Sequence, residues 1–111
     1  MPKIKFKPLS SNDAWQGQRF STPQKKAFEE AMMYLIPPLA DKTILEAEKL
    51  QVWYVFGLSS KLADYDNFIK TFQDCLAKKY GFNDKKIYRG IIDKHDVPKG
   101  QEFIAFEIKK L

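Results

Sequence analysis

Asp64-Tyr65-Asp66-Asn67 is followed by Lys70, four residues beyond Asp66, and by Asp74, four beyond Lys70. A second acidic stretch, Phe82-Asn83-Asp84-Lys85, comes a short loop later. On a helix, residues four apart share a face, so Asp66, Lys70 and Asp74 form one stripe. It flanks the apolar stripe Ile69, Phe72, Leu76 and Tyr80, which puts the charged groups at the rim of a core. Asp64, Asp66 and Asp84 come from two adjacent element ends and can converge in one coordination sphere. Carboxylate oxygens so placed hold Mg²⁺, or Mn²⁺, while leaving positions for water and a phosphate oxygen. Lys70 then neutralises charge in the transition state or orients the attacking water. The same residues also have plainer uses: Asp64 and Asp66 as helix caps, Asp66–Lys70–Asp74 as a salt-bridge ladder, Asp84 as a turn residue. Spacing alone leaves both readings open.

These residues need elements to position them. Lys3–Lys7 alternates lysine with apolar residues at period two, as a half-buried strand does, and Pro8 ends it. Leu9 to Ser21 is expected to be a long loop; within it Trp15, with Arg19 nearby, either stacks on bases or plugs the core edge together with Phe20. Thr22-Pro23 supplies a capping hydroxyl and a proline at the first helical position. That helix runs to about Leu35, with Phe28, Met32 and Leu35 on one stripe, and Pro37-Pro38 stops it. Asp41–Lys49 reads as loop or a short helical turn. Leu50–Leu58 is apolar at nearly every position, the pattern of a strand covered on both faces. A second helix spans roughly Asp66 to Tyr80, with Gly81 as a left-handed cap. Lys86–Asp93 and Glu102–Lys109 read as the two strands of a hairpin around Pro98-Lys99-Gly100, with Ile104, Phe106 and Ile108 facing one way. The expected fold is α/β (α+β): a single mixed β-sheet with two helices packed on it, in the order β-α-β-α-β-β, forming one domain over residues 1–111.

Composition narrows the chemistry. With 44% hydrophobic and 14% aromatic residues, 111 residues can bury a core without disulfides. One cysteine, Cys75, and one histidine, His95, rule out a structural zinc set, so any metal takes oxygen ligands. Cys75 lies among apolar helix residues and is expected to be buried; His95, in Asp93-Lys94-His95-Asp96, is expected to be solvated. Met32-Met33 reads as core or dimer packing. The longest apolar run is too short to cross a bilayer, and Met1-Pro2-Lys3-Ile4-Lys5 lacks the features of a secretory signal, so a cytoplasmic location is expected. Nineteen Lys and Arg against fourteen Asp and Glu give a net charge of +5, which favours polyanionic partners.

Taken together, Asp64-Tyr65-Asp66-Asn67-Phe68-Ile69-Lys70, Asp74, Leu76, Gly81-Phe82-Asn83-Asp84 and Ile87 resemble the RusA family. Its members are small, phage-associated Holliday-junction resolvases with a D-x-D-N-x-x-K helix start and a later aspartate. Pro8-Leu9-Ser10-Ser11-Asn12 is similar to that family's segment after its first strand. The likeness spans most of the chain in order and spacing, with Asp64–Ile87 its specific part. It implies Asp64, Asp66 and Asp84 as metal-binding and catalytic carboxylates, Lys70 as the catalytic lysine, and Mg²⁺ as cofactor. It also implies paired nicks in a four-way junction made by a homodimer. Two positions depart from the pattern: Ala63 stands where an arginine is often found, and Asn83 where an acidic pair is often found.

A junction has approximate two-fold symmetry and must be cut twice, so two copies of a one-site domain suit it. Lys3, Lys5, Lys7, Arg19, Lys25, Lys26 and Arg89, with Lys70, are the candidate contacts to DNA phosphates. Three rivals are a branched-DNA-binding module that does not cut, an accessory or structural dimer of phage particles, and a nuclease for flaps or single strands.

Overall fold

The apolar run Leu50–Leu58 becomes the spine of a four-stranded sheet because both of its faces carry side chains that must leave water. The computed structural model describes residues 1–16 and 20–111. In chain order the elements are β1 (Lys3–Ile4), α1 (Ser11–Ala14), β2 (Trp15–Gln16), β3 (Phe20–Ser21), α2 (Pro23–Leu35), β4 (Leu50–Leu58), α3 (Ile69–Tyr80), β5 (Ile87–Asp96) and β6 (Phe103–Lys110). Short 3-10 turns cover Lys42–Glu46, Tyr65–Phe68 and Asp84–Lys86. The large sheet runs β1-β6-β4-β5. β4 pairs parallel with β5 and antiparallel with β6, and β6 pairs antiparallel with β1. The fold is therefore α+β with one mixed sheet, as expected, although three helices pack on it rather than two.

Alternation along β4 divides the core. Leu50, Val52, Tyr54, Phe56 and Leu58 point toward the helices and meet Phe28 and Met32 from α2, Phe72, Cys75 and Leu76 from α3, and Ile104 and Phe106 from β6. Phe72 is fully buried and stands edge-on to Tyr54 with centroids 6.2 Å apart. Burial of one such ring contributes about 1.5–3 kcal/mol. Trp53 and Val55 point the other way, where Val55, Phe103 and Ala105 form a smaller cluster with Trp53 and Val97 against it.

Local chemistry ends the helices where the sequence marks it. The Thr22 side chain accepts from the Lys25 amide at 3.2 Å and Pro23 opens α2. Gly81 closes α3 at φ 77°, a conformation that favours glycine. Cys75 is buried, as expected, and burial pushes its thiol up to about 12.

Four expectations need correction. β5 and β6 are not a hairpin: β4 lies between them, and Val97–Glu102 steps across its end. The first strand is only Lys3–Ile4, because Phe6 N donates back to Ile4 O and turns the chain. Leu35 is 41% exposed, and Ile36, 1% exposed, takes the core position beyond the helix. Leu9–Ser21 is not structureless; it holds α1 and the β2-β3 ribbon, whose Trp15↔Ser21 and Gln16↔Phe20 pairs are antiparallel.

Candidate functional site

Asp64 stands at the head of a 3-10 turn, Tyr65–Phe68, that leads directly into α3. Its backbone is extended, and its carbonyl accepts from Asn67 N at 3.2 Å, but its carboxylate makes no capping bond. The capping explanation for Asp64 therefore does not hold. Asp64 and Asp66 are both exposed. Three side chains brace this turn. Ser11 Oγ donates to Asn67 O at 3.2 Å, and Thr71 Oγ1 donates to Leu9 O at 2.6 Å, so the segment around α1 is clipped to the start of α3. From the sheet, Lys94 Nζ donates to Ala63 O at 2.9 Å and to Lys61 O at 3.3 Å.

One turn into the helix, Lys70 gathers the two acidic stretches. Its ammonium lies 2.8 Å from Asp74 Oδ1 and 3.2 Å from Asp84 Oδ2. The Asp74 contact is the expected ladder within the helix. The Asp84 contact joins residues fourteen apart in sequence and arises because Asn83, not Asp84, caps the turn before β5. Asn83 Oδ1 accepts from Lys85 N at 2.9 Å, which leaves the Asp84 carboxylate to face the helix. The hydrogen bond to Asp74 raises the pKa of Lys70 above its ordinary value; burial opposes this, and Asp84 adds to it. Lys70's side chain is 63% exposed, so these pairs do little for stability, about 0–1 kcal/mol each. They fix where a positive charge stands.

Beneath the cluster, Tyr54 Oη donates to Gln73 Oε1 at 2.6 Å. Burial holds the Tyr54 phenol well above its ordinary pKa, and the nearby charges of Asp84 and Asp74 push the same way. On the α2 side, Trp15, Lys25, Phe28, Glu29, Lys70, Thr71 and Asp74 line one hollow. Trp15 is 43% exposed, with the Lys25 ammonium 4.7 Å from its ring centre and Glu29 Oε1 3.0 Å from that ammonium. Its ring therefore lies at the rim of this hollow.

The candidate residues are not all in one place. Lys70, Asp74 and Asp84 meet; Lys25 borders the same hollow, and Lys26 lies beside Asp74 along the α2–α3 groove. Lys3, Lys5 and Lys7 line a separate cleft against Gly100–Phe103. Arg89 pairs in register with Gln51 on the sheet face away from the helices, where its guanidinium donates to Gln51 Oε1 at 3.4 Å. Arg19 lies outside the described residues. His95 is exposed, as expected, with its ring edge-on to Phe103. Among the described residues, no three His, Cys, Asp or Glu side chains come together in a group able to hold a metal ion. The donor types suit a hard cation, but Asp64, Asp66 and Asp84 do not form a ready cage, and the place beside Asp84 belongs to the Lys70 ammonium.

Sequence reasoning missed Lys94, Gln73 and Tyr54. Lys94 carried a signal: it pairs with Phe56, so it occupies a helix-facing strand position, and a lysine there must carry its ammonium to partners at the rim. No helix is long and apolar enough to cross a membrane among the described residues. Compared with known proteins, the chain matches no family model and no curated protein.

Proposed function

We propose that this chain is a RusA-like, Mg²⁺-dependent endonuclease that nicks branched DNA, with the four-way junction as its substrate and a homodimer as its working form. The observation that carries the reading is the 3.2 Å contact between Lys70 and Asp84. It unites the D-x-D-N-x-x-K segment with the later aspartate that the resemblance pairs with it. In this reading the Lys70 ammonium, already steered by two carboxylates, meets a non-bridging phosphate oxygen and offsets charge that builds on phosphorus. Asp64 and Asp66 precede it in the turn that opens the helix, where the neighbouring carbonyls of Ala63 and Asn67 are held by Lys94 and Ser11. Mg²⁺, assigned to Asp64, Asp66 and Asp84 on the resemblance, would supply Lewis acidity and an activated water when bound.

A second reading, a module that binds branched DNA without cutting, is favoured by one observation: the three aspartates are not gathered into a cation-holding group among the described residues. A labelled four-way junction incubated with and without Mg²⁺ separates the two. The nuclease reading expects symmetric nicks that need the metal, lost in Asp66→Asn and Asp84→Asn while junction binding persists. Undiminished cleavage by either variant removes this mechanism. Junction binding by the parent protein with no nicking in Mg²⁺ or Mn²⁺ selects the binding module.

A further inference from the structure

A cleft of about 650 Å³ lies apart from the Lys70 cluster. One wall carries Lys3, Lys5 and Lys7, the other is Gly100–Phe103, and Phe6 and Phe103 contribute its apolar surface. All three lysines are exposed. Among the described residues, the lysines in ion pairs are Lys25, Lys70 and Lys109, none of them in this cleft. Lys3 is held over the Phe103 ring at 4.3 Å.

The cleft's one acidic side chain, Glu102, is already engaged. Oε2 accepts from Ser59 Oγ and Oε1 from Gly100 N, both at 2.8 Å. Donation from its own amide and then from Ser59 holds the Glu102 carboxyl below its ordinary pKa, with smaller help from Gly100 and Lys7. Three ammonium groups against one carboxylate leave a local excess of two positive charges, on a volume within the range of ligand sites.

Both walls lead to the candidate site. Lys7 is two residues before Leu9, whose carbonyl is bound by Thr71, the neighbour of Lys70. Across the cleft, Ser59 opens the segment that runs through Lys61 and Ala63, where Lys94 holds the backbone, to Asp64. Each wall is thus continuous in the chain with a segment that is braced at the candidate site.

We propose that this cleft seats one arm of the DNA, with a phosphodiester backbone lying along Lys5 and Lys7 and continuing to Lys70. The proposal rests on DNA being the substrate. It assigns the arm to the β1 edge of the sheet and leaves Arg89, on β5 at the other edge, out of that contact.

Salt dependence tests it. Fluorescence anisotropy of a labelled four-way junction, measured in EDTA so that nothing is cut, gives the slope of log K against log salt between 50 and 200 mM. Each phosphate contact contributes about 0.9 to that slope on duplex DNA. Lys5→Ala/Lys7→Ala is expected to flatten it by about 1.8, and Lys5→Arg/Lys7→Arg to restore it, since only the charge is required. Both residues are exposed, and thermal melting of each variant controls for folding. An unchanged slope and affinity in the alanine pair overturns the cleft assignment while leaving the DNA reading intact. Absence of salt-sensitive junction binding by the parent protein overturns the DNA reading, and the cleft assignment with it.

Discussion

Replacing Gly57 with alanine tests whether the sheet's outer face is packed as tightly as the structure shows. A Cβ at this position would lie 2.2 Å from Phe103 Cδ1 and 2.3 Å from Cε1. Carbon atoms rest about 3.5–4.0 Å apart, so the ring has to withdraw by roughly 1.5 Å. It has little room. Val55 and Ala105 pack against it, the Lys3 ammonium lies 4.3 Å from its centre, and the His95 ring is 6.1 Å away. If the ring stays, overpacking costs about 1–3 kcal/mol. If it swings out, the burial of a phenylalanine is forfeited, about 1.5–3 kcal/mol. The backbone does not oppose the change, because the positive-φ glycines are Gly81 and Gly100, and alanine in a strand regains about 0.5–1 kcal/mol of chain entropy. The expected net loss is about 1–2 kcal/mol. Urea unfolding followed by circular dichroism reads it as a lower midpoint at constant slope. The decisive arm is the Phe103→Ala background, where the ring is gone and Gly57→Ala becomes neutral or stabilising. An equal penalty in both backgrounds, or a change below about 0.5 kcal/mol with Phe103 present, refutes the steric argument.

Gly81→Ala reaches a similar loss by another route: nothing lies within 4 Å of the added Cβ, but φ is 77°. We expect about 1–2 kcal/mol from the left-handed backbone alone, read from the same urea midpoint, and a smaller loss for Gly81→Asn; equal losses would mean that the cap geometry is not the cause. Tyr54 gives a pH dependence. Its phenol is raised above the ordinary 10.0, first by burial and then by Asp84 and Asp74, so above that pH the folded chain keeps a proton the unfolded chain loses. Its contribution is intact below pH 10 and falls as pH rises beyond it. Urea midpoints are expected to decline more steeply above pH 10 in the parent than in Tyr54→Phe, and matching declines would clear the phenol of responsibility.

What could be read from the sequence depended on how local its causes are. Helix α2 follows from Thr22-Pro23 and the prolines after it, and the end of α3 from Gly81, because caps act within one turn. The central place of β4 follows from its nearly continuous apolar run, which no edge strand could leave half in water. The partners of that strand did not follow. Pro98-Lys99-Gly100 has the residues of a tight turn, yet Val97–Glu102 is long enough to cross two strand spacings of about 4.8 Å each, so turn chemistry left the pairing undecided. At the candidate site, helical spacing gave Lys70 with Asp74. The approach of Asp84 to Lys70 depends on the angle at which α3 crosses the sheet and on Asn83 taking the cap, and neither is encoded in spacing. Lys94 serves a loop more than thirty residues away in sequence, a distance over which periodicity carries no information.

The Lys94 contact has a mechanical consequence. The carbonyls of Lys61 and Ala63 are moored to a strand, and the residues just after them belong to a helix. The acidic pair thus sits on a short bridge with independent anchorages at its two ends. The span between the anchorages has the poorer hydrogen-bond geometry of a 3-10 turn, and Ser11 props it from the side at the Asn67 carbonyl. Two carboxylates two residues apart are in this way carried on one span, moored to the sheet before it and continued by the helix after it.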